Sequence, residues 1–372
     1  MNSSGLYLYA IIPTRDHIIF NVPGTKLEND EIFTIPFQNL QDSPPQGQSV
    51  RPLAAVVSVS ALKDFHGLER PEAAAYLVTH QRVVEAIMRD FPTLPVKFGT
   101  VLMDEPKVMQ MLSQGESIFQ AAFDKYENRV QMEVVVLWNP QDEFQQIALH
   151  ETIVQTKAEF TSCPAEEKLA KKINLGQQVQ VLMEQRRAIL SNEIMPTLEE
   201  IGFEIAINPL MDDSMVLNVA LLLDEPGCLR LDGVLEELDA SFEHRGRTGT
   251  SALTFRRVGP LPPYSFSTIA VQPISFELIE SARKTLHLEE TTTLKGIKLA
   301  YRQQAVLVHP DLNLHVTDGE ISMTKLTDAF RLLTAYAENQ PATSSDLLCL
   351  DQKSVSQAML ITIQRPEVIQ KV

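Results

Sequence analysis

An imidazole and a carboxylate separated by a single proline, His309-Pro310-Asp311, form the most suggestive set of functional groups in this 372-residue chain. The residue before a proline avoids helical backbone, so the preceding helix is expected to end near Val308 and leave the tripeptide in a loop. On that helix Lys295, Lys298 and Arg302 recur at i, i+3 and i+7 with no acid among them. Leu294, Ile297, Tyr301 and Val308 form an apolar stripe one position away, giving the helix a core face and a basic face. Elsewhere the reactive side chains are scattered. His80 falls near the apolar face of its own helix, where a hydrogen-bonded packing role outweighs that of a base. Asp212-Asp213 and Glu199-Glu200 are adjacent pairs, and neighbours on a helix diverge by ~100°, so neither pair converges on a substrate. Cys163, Cys228 and Cys349 make no Cys-x-x-Cys pair, and the eight histidines show no two-ligand helical spacing. Neither a metal nor a cofactor is expected. Phosphate loops, nucleophile elbows and zinc-protease spacings are absent from the sequence, so the chain does not read as an enzyme.

Positioning these groups requires an α+β architecture. Short β-branched and apolar runs between breakers predict strands near 6–12, 53–60, 95–102 and 130–138. Helical periodicity predicts a helix over 71–91, with Pro71 in its first turn and Leu77, Val84, Ile87, Met88 and Phe91 on one face, then helices near 105–114 and 116–128. Their order approximates a ferredoxin-like βαββαβ layer for residues 1–140. Residues 41–49, rich in Pro, Gln, Ser and Gly, read as an exposed loop. A helical connection with a long pattern over 165–201, interrupted at Pro196, leads to a second, modified ferredoxin-like unit within 141–270. Its strands are expected near 203–208, 215–223 and 250–258, with a helix over 227–243 and a solvated turn at 244–249. Three helical patterns follow, at 275–287, 292–308 and 320–338, and make a small module over 275–339. The tail 340–372 begins as a Pro, Ala, Thr and Ser linker and gives no further signal. Met103, Met109 and Met111 are read as core, with an adaptable binding surface as the alternative.

One octapeptide stands out, Gly259-Pro260-Leu261-Pro262-Pro263-Tyr264-Ser265-Phe266. Gly259 permits an unusual dihedral and three prolines remove three donors, so the segment is expected to end the strand as a rigid corner. Tyr264 and Phe266 would then lock that corner against a core.

This octapeptide resembles the signature of the gas vesicle GvpL/GvpF family, and other segments agree in that family's order. Leu6-Tyr7-Leu8-Tyr9-Ala10 and Leu53 to Ser60 are similar to its first well-marked strands. The helix bearing His80 follows, then Leu94 to Val101 with the family's Phe98-Gly99-Thr100, in which Lys97 stands where arginine is usual. Val130 to Val136 is similar to the strand after the family's paired helices. The resemblance covers roughly residues 5–270. It implies a non-catalytic accessory or minor structural protein that binds the hydrophobic shell protein and other gas vesicle accessory proteins and assists nucleation or assembly. The N-terminal unit, 1–140, is the expected client surface.

The module over 275–339 resembles a DnaJ-type J-domain, on Ala300-Tyr301-Arg302 ahead of His309-Pro310-Asp311 and on Leu326, Ala329, Phe330 and Leu333 of its third helix. In that family the basic helix and the tripeptide contact a DnaK-type chaperone and stimulate its ATPase. Val308 and Leu312 stand where tyrosine and lysine are usual, and the module is open to both a structural and a working interpretation.

Composition bounds the partners. Forty-eight acids against 32 bases give a formal net charge of −16, which repels nucleic acid and anionic lipid. Hydrophobic residues at 44% and charged residues at 22% describe a globular chain. The first apolar run, Leu6 to Ile12, is stopped by Pro13, and no window approaches the ~20 apolar residues of a membrane span. The expected location is the cytoplasm, at the gas vesicle.

Overall fold

The computed structural model describes residues 4–23, 31–37, 50–61, 65–162, 164, 166–247, 252–308, 319–340, 347–364 and 368–369. They divide into two compact units, Met1–Glu127 with Ser267–Gln364, and Asn128–Phe266 with Arg365–Val372.

The sheet of the first unit runs Ile19–Phe20, Ile32–Pro36, Ala54–Ala61, Ser4–Ile12, Leu94–Pro95 in spatial order, every pairing antiparallel. Its two central strands are apolar enough that Leu8, Ala10, Ile11 and Ile12 meet Ala54 to Val57 with no exposed surface on either. Helix Arg70–Ile87 buries Thr79, His80, Val83, Val84 and Ile87, while Leu77, expected on that face, is partly exposed. The strand expected over 95–102 is two short pieces, Leu94–Pro95 and Val101–Leu102. Between them the Thr100 amide and hydroxyl both donate to the Lys97 carbonyl, and Gly99 takes φ +84°. A positive φ of that size favours glycine, and it folds the run into a turn.

Helices Glu105–Gln114 and Glu116–Tyr126 follow the expected pattern, the first capped by Asp104, whose carboxylate accepts from the Lys107 amide. Met111 is buried in the core, but Met103 is largely exposed.

Strand Val130–Trp138 departs from expectation. It lies inside the second unit's sheet, paired on one side with Leu253–Leu261 and on the other with Met215–Leu223. That sheet continues to Glu204–Ile207 and ends on Val368–Ile369. Its first four strands in chain order lie fourth, first, third, second in space. Helices Pro140–Ala148, Glu151–Ser162 and Lys168–Ile201 fill the first crossover and Glu225–Arg247 the second. The strand, helix, strand, strand, helix, strand succession assigned to residues 1–140 is therefore met by the second unit. An apolar run specifies a strand without specifying its partner.

Helix Lys168–Ile201 continues through Pro196, and helix Glu225–Arg247 runs into the segment expected to be a turn. Leu190, Ile194, Leu198 and Ile201 recur at helical spacing and pack with Val134, Val136, Leu217, Val219, Leu221 and Leu223 in one aliphatic core.

Helices Phe276–Thr285, Leu294–Val308 and Gly319–Glu338 belong to the first unit and share a core of Ile279, Ile297, Leu326, Leu333 and Tyr336. The described residues of the tail carry secondary structure that its composition did not signal. Leu348–Cys349 pairs with Thr291–Thr292, Gln352–Gln357 is helical, and Met359–Gln364 pairs antiparallel with Thr268–Pro273 along its whole length. Strand Thr268–Pro273 meets the first unit's sheet through the Lys97 amide, which donates to the Ile269 carbonyl at 2.7 Å.

Among the described residues no helix is long and apolar enough to cross a membrane.

Candidate functional site

Phe98-Gly99-Thr100 is the centre of a polar and aromatic cluster over the first unit's sheet. The Gly99 amide donates to the Tyr7 hydroxyl at 3.2 Å, and that hydroxyl lies 3.0 Å from His80 Nδ1. The other ring nitrogen of His80 is engaged by the Val96 backbone. A neutral imidazole protonated on Nε2 satisfies the whole chain: it donates to the Val96 carbonyl and accepts the Tyr7 proton, while Tyr7 accepts from Gly99. Burial holds His80 down to about 4, against the opposing hydrogen bond to Val96, and burial pushes the Tyr7 phenol up.

Rings enclose this relay. Tyr9 stacks on His80 at 5.6 Å, Phe98 meets its edge at 5.9 Å, and Phe65 lies 5.2 Å from Phe98. A Cβ on Gly99 would come within 3.3 Å of Phe65. Tyr7, Tyr9, Ser58, Tyr76, Thr79 and His80 line a small pocket there, with the Tyr9 and Ser58 hydroxyls 3.1 Å apart. Among the described residues no acid is paired with His80, and its neutral Nδ1 is an acceptor already occupied by Tyr7. The arrangement positions the motif loop against the first strand and the helix.

Gly259 and its prolines form the second motif. Strand Leu253–Leu261 passes through Gly259 and Pro260 with a register shift, and Leu261 pairs with Gln131. The ladder was expected to end here. The donors lost are those of the prolines, whereas Leu261 keeps its amide, and the bulge absorbs the interruption. Gly259 takes φ +135°, and a Cβ there would lie 2.8 Å from Met132 Sδ and 2.9 Å from the Gln131 carbonyl oxygen. Pro262, Pro263 and Phe266 are buried. Tyr264–Ser267 makes one helical turn, tied back by the Ser265 amide to the Gln131 side-chain carbonyl at 2.8 Å.

Lys295, Lys298 and Arg302 are exposed on helix Leu294–Val308, whose opposite face buries Ile297 and stacks Tyr301 on Phe330 at 4.3 Å. His309, Pro310 and Asp311 lie outside the described residues, as do the loop 41–49 and Cys163. Asp212 and Asp213 are exposed on a turn, where Asp212 accepts from the Ser214 amide and the Asp213 carbonyl accepts from Trp138 Nε1. Glu199 and Glu200 sit on the last turns of the long helix. Among the described residues no group of three or more potential metal ligands comes together.

Two charged positions escaped the sequence. Arg51 reaches both Asp124 and Glu127 at the end of helix Glu116–Tyr126. Glu143 is buried in the first turn of its helix, with Arg186 3.7 Å away as its counter-charge, and burial pushes its carboxyl up. Each pairing spans more than 40 residues and leaves no local signal.

Comparison with known proteins covers the region that holds these two glycine motifs. The family model described as gas vesicle synthesis protein GvpL/GvpF matches residues 5–268, from the first strand to the end of the proline segment. Gas vesicle protein F of Streptomyces sp. (strain CB03234) is 22% identical over 214 residues, 58% of this chain and 84% of that protein. The crystal structure of GvpF from Anabaena sp. PCC7120 is similar to 71% of this chain and 98% of its own, at 20% identity and a TM-score of 0.49. GvpF from Microcystis aeruginosa gives 71% and 99%, at 19% identity and a TM-score of 0.48.

Proposed function

From the premise that the chain belongs to the gas vesicle GvpL/GvpF family, we propose that it serves gas vesicle formation as a non-catalytic accessory or minor structural protein in the cytoplasm, holding the hydrophobic shell protein during nucleation or assembly. The observation that carries this is the extent of the family match, which takes in the first unit's main sheet, the second unit through Phe266 and both glycine motifs. A water-excluding shell needs subunits with a large apolar face, and such subunits aggregate unless they are held. The antiparallel succession of the second unit supports a ferredoxin-like description of that part.

The shell protein is assigned to the N-terminal unit, where Ile19 sits exposed on the terminal strand of the sheet and Leu77 and Val78 are exposed on helix Arg70–Ile87. Strand addition at an edge or packing on an apolar face are the two modes such a surface offers. Capture of the shell protein by the tagged full chain, in low and in high salt, tests this. Apolar burial survives screening, so retention at high salt is the expected result. Loss of the shell protein on adding salt would require a different mode of holding.

A second interpretation is favoured by the exposed cations of helix Leu294–Val308, which directly precede His309-Pro310-Asp311. In it the helical module recruits a DnaK-type chaperone to the same client. Stimulation of a DnaK-type ATPase by the intact chain and its loss in His309→Gln support it. No stimulation by the unaltered chain leaves the module a structural role.

A further inference from the structure

Helix Leu294–Val308 and helix Glu225–Arg247 carry complementary outward faces. On the first, Lys295, Leu299, Arg302 and Val306 fall at i, i+4, i+7 and i+11 and are all exposed, with Lys298 beside them. Leu299 and Val306 are 57% and 60% exposed, high for aliphatic side chains that no described residue covers. None of the three cations has an ion pair among the described residues. On the second helix, Glu225, Leu229 and Glu236 fall at i, i+4 and i+11 with Asp239 alongside, again exposed, and Leu229 is 71% exposed. Residues at these spacings share one helix face; on the first helix charged and aliphatic side chains alternate at about one turn, whereas on the second Leu229 and Glu236 are about two turns apart and Asp232 between them is held by Arg257. Lys295 and Arg302 stand ~10.5 Å apart along their axis with Leu299 between them, and Leu229 and Glu236 are separated by the same rise.

We propose that the basic stripe of one molecule docks on the acidic stripe of a second copy, so that the protein self-associates head to tail. Each face is exposed among the described residues, and a second copy supplies its complement. The two surfaces differ, which makes the contact heterologous. It propagates into short open assemblies and does not stop at a symmetric dimer. One helix face against another buries well under the ~1,200 Å² of a stable interface, so the association is weak, salt-sensitive and driven by local concentration. The basic stripe lies beyond residue 268, where the family match ends, and the acidic one lies within it. This self-association is independent of whether the shell protein binds.

Sedimentation velocity of the full chain from about 5 to about 200 µM tests it, in about 50 mM and about 500 mM salt. The expected result is a weight-average mass that rises with concentration at low salt and stays monomeric at high salt. Lys295→Glu/Arg302→Glu and Glu225→Lys/Glu236→Lys should each weaken self-association by at least tenfold. Mixing the two variants should restore concentration-dependent association at low salt, through the reversed pair of altered stripes and through the native pair that each variant still offers the other, so that the two alternate along the assembly. The milder pair Lys295→Gln/Arg302→Gln gives an intermediate loss and guards against misfolding of the reversed variants, which circular dichroism checks. A monomer at all concentrations in low salt, self-association that ignores either charge reversal, or no complex on mixing would overturn the proposal.

Discussion

The two sheets are held by different chemistry. Over the first, Tyr7, His80 and the Gly99 amide form a directional relay among rings, and each member depends on its neighbour's orientation. Under the second, Val134, Val136, Leu217, Val219, Leu221 and Leu223 meet Leu190, Ile194 and Leu198 with no polar partner required. Hydrogen-bonded cores are specific and respond to protons, whereas aliphatic cores respond to volume. The comparison can be tested unit by unit, because Trp138, the chain's single tryptophan, is buried in the second sheet and reports on that unit alone.

The largest effect is expected from volume. Leu221→Ala removes a fully buried side chain and should cost about 3–4 kcal/mol, read as a lower denaturant midpoint of Trp138 fluorescence. The loss should be the same at pH 7 and pH 5. A shift confined to the first unit's amide exchange, with Trp138 unmoved, would break the distinction between the cores.

Protonation should act on the other unit. His80 is held at about 4 in the folded chain against the ordinary 6.5 of a free imidazole, so the unfolded chain takes up the proton first. Its contribution is intact above pH 6.5 and is lost progressively as pH falls toward 4, to a limit of roughly 3 kcal/mol. Glu143 has the opposite sign. Its carboxyl is raised, so the folded state favours the protonated form and the second unit gains from this group as pH falls through the raised value. Hydrogen exchange of strand Ser4–Ile12 should therefore quicken between pH 6.5 and 4.5, after correction for intrinsic rates. His80→Phe should flatten that dependence, and an unchanged slope in the variant would remove His80 as its source.

The two glycines rank next. Gly259→Ala forces a Cβ to within 3.0 Å of Met132 Sδ and the Gln131 carbonyl at φ +135°, for a cost of about 3 kcal/mol on the Trp138 transition. Gly99→Ala meets Phe65 at 3.3 Å, and a ring able to give slightly leaves mainly the dihedral strain, about 1–2 kcal/mol in the first unit. Equal losses would mean that the corner relaxes as readily as the turn.

Tyr7→Phe is the smallest of the set. It leaves His80 Nδ1 and the Gly99 amide without their shared partner at almost unchanged volume, and about 1 kcal/mol should be lost. Amide exchange at Gly99 should rise more than at Leu8, whose amide donates to the Thr100 carbonyl independently.

What the sequence disclosed followed the range of each interaction. Helix Glu105–Gln114 and strand Met215–Leu223 were legible to the residue, because periodicity and caps act within a few positions. The partner of Val130–Trp138 was not, since its apolar pattern fits either sheet. Phe98-Gly99-Thr100 stood out as a motif, but its meaning rests on Tyr7 and His80, which are 73 residues apart. The proline segment misled for a different reason: counting lost donors overlooked the amide that Leu261 retains. The exposed cations followed directly from helical spacing, and the acidic stripe needed the structure to show which side of Glu225–Arg247 faces water.

Strands Thr268–Pro273 and Met359–Gln364 pair from end to end, with Thr268 opposite Gln364. Entry to and exit from the intervening residues are thus about 5 Å apart. In architectural terms these residues form a cassette, zipped shut at its own base, that can be lifted out or exchanged by joining its two stubs with a few residues. The zipper has a second consequence. Because Lys97 donates to Ile269, a deletion that takes Thr268–Pro273 along with the cassette would bare the backbone at Val96 and Lys97 and create an adhesive edge. A shortened chain should keep its main sheet yet clump, unless the stub retains Thr268–Pro273 or gains a charged guard residue in its place.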